Sequence, residues 1–447
     1  MRAFLILCCG VVGCDAVPAE VVVPPPLDAA EVPLPTPDAA PPCANGVADV
    51  GESDVDCGGV CGACANGRRC TAAADCLGGY CVALTGRCGR AVAFAAPVLY
   101  AAGFKPYAIA AGDLDGDGDV DLVVANELES TVAIYRNNGA GAFTRLPAAA
   151  ATGEYPTGMA IADFDHDGIP DVITADYHGN SVSLLRGTGV GASYRLAARA
   201  SYPTAAGAET SNVAVGDLDG DGLPDAVASN PQAHSISVFL ARPGATLSPA
   251  TNLPCGPQSE PYSVAIGDFD GDGAADIAAA DDRSRTVVVM RGRGDGRFDA
   301  LPAQPAIEGT GSFILLARDM NRDGVLDLVV SNRSSHDVSV LLGRGDGTFH
   351  AALVATAGPL SGPYALAVAD FNLDGVPDVV VSSFLSGATS VLLGRGDGRL
   401  AAPLLGATTG AYSYGVAAAD LDGDGIPDLA VVNAVNNTLA VVLGTAP

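Results

Sequence analysis

The sequence predicts an all-β protein: a seven-bladed β-propeller closed by an N-terminal strand, preceded by a proline-rich linker and a small disulfide-rich module. Three observations carry this expectation. A nine-residue acidic segment, first met as "DLDGDGDVD" at 113–121, recurs seven times. Short apolar runs of strand character flank every copy. The last copy ends before its fourth run, and a run matching it stands ahead of the first copy.

Residues 1–13 read as an export signal, with Arg2 as a minimal basic region and an apolar stretch at 4–12 that is too short to span a bilayer. The stretch leads into "VVGC" at 11–14, which resembles a bacterial lipobox and makes Cys14 the expected lipidation site. The chain is therefore expected to be exported by a bacterium and lipid-anchored at the cell envelope or surface, or else secreted. Residues 14–42 form a linker with nine prolines. Such a segment cannot build a packed core and should act as a semi-rigid spacer of roughly 85 Å.

Residues 43–90 are the cysteine-rich module, with Cys43, Cys57, Cys61, Cys64, Cys70, Cys76, Cys81 and Cys88. An even count in a short, glycine-rich stretch of an exported chain reads as four disulfides, with the pairing open. The spacing in "CGGVCGAC" at 57–64 also matches an iron–sulfur site. That chemistry needs reduced thiolates inside a large barrel, which this stretch does not offer. The fuller stretch "DVDCGGVCGAC" resembles small cysteine-rich modules of exported bacterial proteins. Cys255 is left over and is expected to be a buried free thiol.

Residues 91–447 hold the repeats. Their start-to-start spacings are 50, 54, 51, 51, 51 and 50, a period of propeller blades or solenoid units. Each acidic segment follows a run such as "YAIAAG" and precedes runs such as "DLVVAN" and "TVAIYR". The runs are 4 to 7 residues long, rich in β-branched side chains and bounded by Gly, Asn and Asp. Each unit is thus a four-stranded antiparallel meander, with the acidic loop joining its first and second strands. The chain ends choose the closed ring. "AFAAPVLYAAG" at 93–103 matches the fourth-strand segment "RLAAPLLGATTG" at 399–410, and would complete the blade that stops at "LAVVLG".

Within each loop, side-chain oxygens recur at positions 1, 3, 5 and 9, with Gly at 6. The sets are Asp113, Asp115, Asp117, Asp121; Asp163, Asp165, Asp167, Asp171; Asp217, Asp219, Asp221, Asp225; and Asp268, Asp270, Asp272, Asp276. Then come Asp319, Asn321, Asp323, Asp327; Asp370, Asn372, Asp374, Asp378; and Asp420, Asp422, Asp424, Asp428. Four such oxygens plus the carbonyl at position 7 suit a hard cation taking six to eight oxygen ligands, so up to seven calcium ions are expected. An EF-hand does not fit, because position 12 lacks Glu (Val124, Thr174) and strands flank the loop. Transition metals are disfavoured, since the loops hold no Cys and only His166, at the outward position 4. The formal charge of −28 is largely these 26 loop aspartates; without them it is about −2 (−28 + 26).

Loop, flanks and period together resemble the FG-GAP/VCBS repeat family, the repeat of integrin α-subunit propellers and many bacterial surface proteins. The resemblance spans residues 91–447 and implies a calcium-binding propeller. It does not imply a particular ligand, since the family includes adhesins, lectin-like modules and accessory domains of enzymes.

The acidic balance argues against nucleic acid as a partner. The five histidines, His166, His178, His234, His336 and His350, do not recur with a nucleophile, so no enzymatic activity is expected. The expectation is a monomeric, noncatalytic binding or adhesion module for an extracellular glycan or protein. The alternative is an accessory or catalytic propeller of an extracellular hydrolase or lyase. Three "GRGDG" stretches (Arg293–Asp295, Arg344–Asp346, Arg395–Asp397) fall where tight turns between third and fourth strands belong. Six residues before the first loop Asp stand Tyr107, Tyr262, Phe313, Tyr364 and Tyr414, with Thr157 and Ser211 in blades 2 and 3. These aromatics are the candidate ligand-binding residues, on the face away from the loops; inter-blade packing is the competing role. A second ring, Asn126, Asp176, Asn230, Asp281, Asn332, Ser383 and Asn433, reads as hairpin caps or as hydrogen-bonding partners of a ligand.

Overall fold

The computed structural model describes Asp54, Cys57 and residues 63–445 apart from 78, 79 and 303. The export signal, Cys14, the linker, Cys43 and Cys61 lie outside the described residues. The chain divides into two compact units, the cysteine-rich residues and the propeller that begins at Val92.

In the cysteine-rich unit, three disulfides join Cys57 to Cys64, Cys70 to Cys81 and Cys76 to Cys88. Buried half-cystines take the place of a hydrocarbon core, as expected of a module too small to bury enough apolar surface. A short ladder pairs Cys81–Val82 with Arg87–Cys88. Asp75 ties down the preceding turn by accepting the N–H groups of Thr71 and Ala72 and the Thr71 hydroxyl.

The described residues of the propeller form seven antiparallel meanders. Blade 1 runs through Pro106–Gly112, Asp121–Asn126 and Thr131–Arg136, and its fourth strand is split into Thr144–Arg145 and Ala150–Ala151. The first strands of blades 2 to 7 are Pro156–Ala162, Val213–Gly216, Pro261–Gly267, Ser312–Arg318, Pro363–Ala369 and Ser413–Ala419. Each lies beside the first strands of its two neighbours, and that of blade 7 lies beside that of blade 1, so the ring is closed. Blades 2 and 3 carry an additional two-stranded ribbon between their third and fourth strands.

Closure uses the expected strand. Val98–Ala101 pairs antiparallel with Thr438–Val442, in the register Val98 to Val441 through Ala101 to Thr438. The pairing extends beyond it through Ala95 N–H to the Leu443 carbonyl and Ala102 N–H to the Asn437 carbonyl.

The second strand of each blade reads as an unbroken apolar run because both of its faces are covered. Successive side chains point to opposite faces of a strand. Leu122 and Val124 therefore pack against blade 7, while Val123 and Ala125 pack against blade 2. The same alternation around the ring makes each blade interface a hydrophobic layer. Small residues let the first strands crowd near the axis. At Gly158 a Cβ would come within 2.7 Å of the Asn212 Cα in the next blade, so only glycine fits there.

The "GRGDG" stretches are the tight turns expected. Gly294 and Gly296 hold left-handed backbone at φ 68° and 74°, and the Asp295 carboxylate accepts the N–H of Arg297. Asp346 and Asp397 repeat that bond with Thr348 and Arg399. Cys255 is unpaired and only partly exposed, and burial pushes its thiol up to about 12.

Candidate functional site: acidic loops and the opposite face

Backbone N–H groups organise each loop. The position-1 aspartate accepts two of them: in blade 1, Gly116 N–H to Asp113 Oδ1 at 2.8 Å and Gly118 N–H to Asp113 Oδ2 at 3.0 Å. Blades 3, 4 and 7 repeat the pair. These contacts require left-handed backbone at positions 4 and 6. Glycine supplies it at Gly116 and Gly118, whereas His166 and Arg322 adopt it at position 4 with φ 55° and 65°.

The position-9 aspartate has a role that loop spacing alone did not reveal. It is buried in all seven blades. One oxygen accepts the N–H of loop position 2, and the other accepts an N–H sixteen residues further on, past the third strand. In blade 1 these bonds are Leu114 N–H to Asp121 Oδ2, 3.2 Å, and Asn137 N–H to Asp121 Oδ1, 2.8 Å. In blade 7 they are Leu421 N–H to Asp428 Oδ2, 2.7 Å, and Gly444 N–H to Asp428 Oδ1, 2.6 Å. Asp171, Asp225, Asp276, Asp327 and Asp378 do the same. The side chain staples the loop to the third-strand end.

Carboxylates converge above these staples. Asp113, Asp115 and Asp121 bring oxygens within 4.8 Å of one another, as do Asp163, Asp165 and Asp171, and Asp268, Asp270 and Asp276. In blade 3 the group is Asp217, Asp219 and Asp221. Such clusters can hold metal ions. Asp115 Oδ1 and Asp165 Oδ1 are moreover buried without a hydrogen-bond partner. A buried, unpaired carboxylate oxygen is costly unless a cation or donor meets it.

Burial pushes the position-9 carboxyls up, to about 7 in Asp121, Asp171 and Asp428 and to about 6 in Asp225, Asp276 and Asp327. With no cation bound, the folded chain then holds protons that the unfolded chain releases. Stability should be greater near pH 5 and fall as pH rises through 6 to 7. A bound cation favours the ionised form and should flatten that slope. Melting curves between pH 5 and 8, in chelator and in calcium, check this; a chelated chain that gains stability with rising pH contradicts it.

On the opposite face the five aromatics come together. Tyr107 stacks on Tyr414 with ring centroids 4.7 Å apart, Tyr262 stacks on Phe313 at 5.6 Å, and Phe313 meets Tyr364 at 4.2 Å. The hydroxyls of Tyr107 and Tyr364 are hydrogen-bonded to each other. With Thr157 and Ser211 these rings line a cavity of only about 30 Å³ on the propeller axis. The rings therefore fill much of the axial opening with one another. Sequence reading missed Phe384, which stacks on Tyr364 at 5.9 Å, and Arg333, which lies over both of those rings. Neither falls at the repeat position that marks the five. The polar ring is buried, from Asn126 to Asn433, and caps the connections. Asn126 accepts the Gly103 N–H, and Asp176 accepts the hydroxyls of Thr174, Ser181 and Ser183.

The same face carries an apolar arc, three of whose members, Leu128, Leu385 and Val435, share one repeat position that is polar in blades 2 to 5. Phe104 (58% exposed), Leu128 (47%), Leu360 (69%), Leu385 (55%), Tyr412 (42%) and Val435 (59%) all stand on its connections. They belong to the entries and second-to-third-strand turns of blades 6, 7 and 1, which adjoin one another in the closed ring.

Fold and loops together define a seven-bladed propeller with cation-type acidic loops on one face. The FG-GAP-like repeat model matches residues 113–174, 163–228, 268–330, 319–381 and 379–431, and the chain belongs to that family. None of the curated proteins matches it. Among solved structures it is similar to BBS1N in complex with ARL6DN (13% identity, TM-score 0.56), covering 80% of this chain and 98% of that one. It is also similar to virginiamycin B lyase from Staphylococcus aureus (12% identity, TM-score 0.52; 78% and 99% covered). A streptogramin B lyase structure matches at 10% identity and TM-score 0.51, with 78% and 98% covered. At these identities the likeness is one of fold.

Proposed function

We propose that this is an exported, noncatalytic binding propeller whose loops take calcium and whose opposite face docks an extracellular protein. The apolar arc of blades 6, 7 and 1 carries this reading. Contiguous exposed apolar side chains on one face mark interaction surfaces, and leucines and a valine suit a protein better than a sugar. The aromatics are occupied with one another, so we assign them the floor beneath that surface. Calcium is the cation we assign to the loops, because their donors are all hard oxygens. Position-1, position-3, position-5 and position-9 side chains would hold it, and it would neutralise carboxylates that otherwise repel. Three histidines near this face have packing or hydrogen-bonding partners, which supports the noncatalytic reading. His178 packs on Tyr155, the His234 ring bonds the Ser259 carbonyl, and the Gly362 N–H donates to His336 Nδ1. The disulfides suit an oxidising compartment, and we assign the tether to a lipid on Cys14.

The test is a binding screen against immobilised envelope and matrix proteins and against glycans, in calcium. Retention on a protein is expected, with Leu385→Asp/Val435→Asp weakening it about tenfold or more while the melting temperature holds. Binding to glycans alone, or to a protein with no loss in that double variant, would move the site elsewhere. Tyr107→Ala/Tyr262→Ala/Tyr364→Ala should instead lower the melting temperature.

A further inference from the structure

The seven loops are not electrostatically equal. Twenty-three residues after the first loop aspartate, at the end of the third strand, blades 1, 2 and 4 carry Arg136, Arg186 and Arg291. Each turns back onto the position-3 aspartate of its own blade: Arg136 Nε to Asp115 Oδ2 at 2.6 Å, Arg186 Nη2 to Asp165 Oδ2 at 2.8 Å, and Arg291 Nε to Asp270 Oδ2 at 2.6 Å. Arg291 also reaches Asp272 Oδ2 at 2.8 Å. In blade 3 the arginine is displaced by two residues, and Arg242 Nη1 lies 3.8 Å from Asp219 Oδ2. In blades 1 and 2 it is the other oxygen of the same carboxylate, Oδ1, that is left buried and unpartnered.

Blades 5 and 6 solve the same problem differently. They have leucine at the strand-three position, Leu342 and Leu393, and asparagine at loop position 3. At the strand-three position, therefore, Asp goes with Arg in blades 1, 2 and 4 and Asn goes with Leu in blades 5 and 6, while blade 3 has Asp219 with Leu240 and draws on Arg242 instead. Either pairing removes one unit of negative charge from the four-ligand set. Blade 7 has neither device: it keeps Asp422 and has Leu443, and no ion pair reaches its four aspartates among the described residues.

We infer that Arg136, Arg186, Arg242 and Arg291 are built-in counter-ions that hold their loops in shape and lower the affinity of those loops for calcium, leaving the blade 7 loop as the high-affinity site. Affinity in oxygen-ligand calcium sites follows ligand charge count and site rigidity. A guanidinium bound to a ligand carboxylate repels the incoming dication, whereas the blade 7 set offers four carboxylates that no arginine meets. Asp119 adds a fifth aspartate to the blade 1 segment, at the position that offers its carbonyl; its side chain lies toward Gly139, outside the four-ligand set. Blade 7 is also the blade that the N-terminal strand completes, so its loop is the one whose occupancy bears on ring closure.

This inference rests on the calcium reading above. The experiment is a calcium titration of the full chain against a chromophoric chelator, with circular dichroism as a control for folding. One site per chain should bind about tenfold or more tightly than the rest. Leu443→Arg should remove that site from the tight class, and Asp422→Asn, the gentler change, should weaken it by a similar factor. Arg291→Leu should add a second tight site. A single uniform class of sites overturns the ranking and leaves the calcium reading standing, whereas no calcium binding overturns both. Tight binding unaffected by Asp422→Asn, or an Arg291→Leu variant with weaker binding, also overturns it.

Discussion

A chain that begins at Phe104 is expected to melt about 5 °C below one that begins at Arg90. The segment removed contains the strand that completes blade 7. Its loss takes away the ladder from Val98–Val441 to Ala101–Thr438 and the flanking bonds of Ala95 and Ala102. It also removes the edge-to-face contact of Tyr100 with Phe143, centroids 5.9 Å apart, and that of Phe94 with Phe371 at 6.2 Å. Net contributions of about 0.5–1.5 kcal/mol per hydrogen bond, offset by the entropy of ordering the strand, leave a deficit of about 4 kcal/mol. For a unit of about 350 residues each kcal/mol moves the midpoint by about 1–2 °C. Thr438–Val442 would become an unprotected edge strand, so aggregation should accompany the loss. Equal midpoints for the two chains would show that the ring is held without its N-terminal strand.

Chelation is expected to have the larger effect. A single site filled at a hundredfold over its dissociation constant stabilises by about 2.7 kcal/mol. Several such sites together match the whole stability of a typical domain, about 5–15 kcal/mol. The stripped chain should melt ~15 °C or more lower and be cut by protease within the loops. The position-9 staples and the arginine pairs keep a residual fold in place, so broadening and a lower midpoint are expected rather than complete unfolding. A chain whose melting and protease resistance are unchanged by chelator does not use calcium structurally.

How much of this was legible beforehand depends on whether a feature repeats. Blade number, strand order and the place of the acidic loop were readable because each is written seven times at one period. Ring closure was readable because one strand's sequence appears out of turn. The tight-turn role of "GRGDG" followed from glycine in a fixed slot. By contrast, the arginine at the third-strand end does not stand out as part of a loop more than twenty residues earlier. Arg333 and Phe384 share one repeat position and Leu128, Leu385 and Val435 share the next, but the other blades place unlike residues there (Tyr177, Pro231, Asp282; His178, Gln232, Arg283), so neither position announces a surface. The polar ring from Asn126 to Asn433 was visible as a pattern, but only its burial decided that it caps connections.

By itself, then, the sequence determined the all-β class, the sevenfold ring, the closing strand and the clustering of hard oxygens, because these follow from local periodicity and from turn chemistry within about ten residues. Only the tertiary structure decided which carboxylate oxygens are left unpartnered, which loop aspartates an arginine reaches and which face presents apolar side chains. Those properties are set by groups brought together through space, where burial and a neighbouring charge outweigh what each residue does alone.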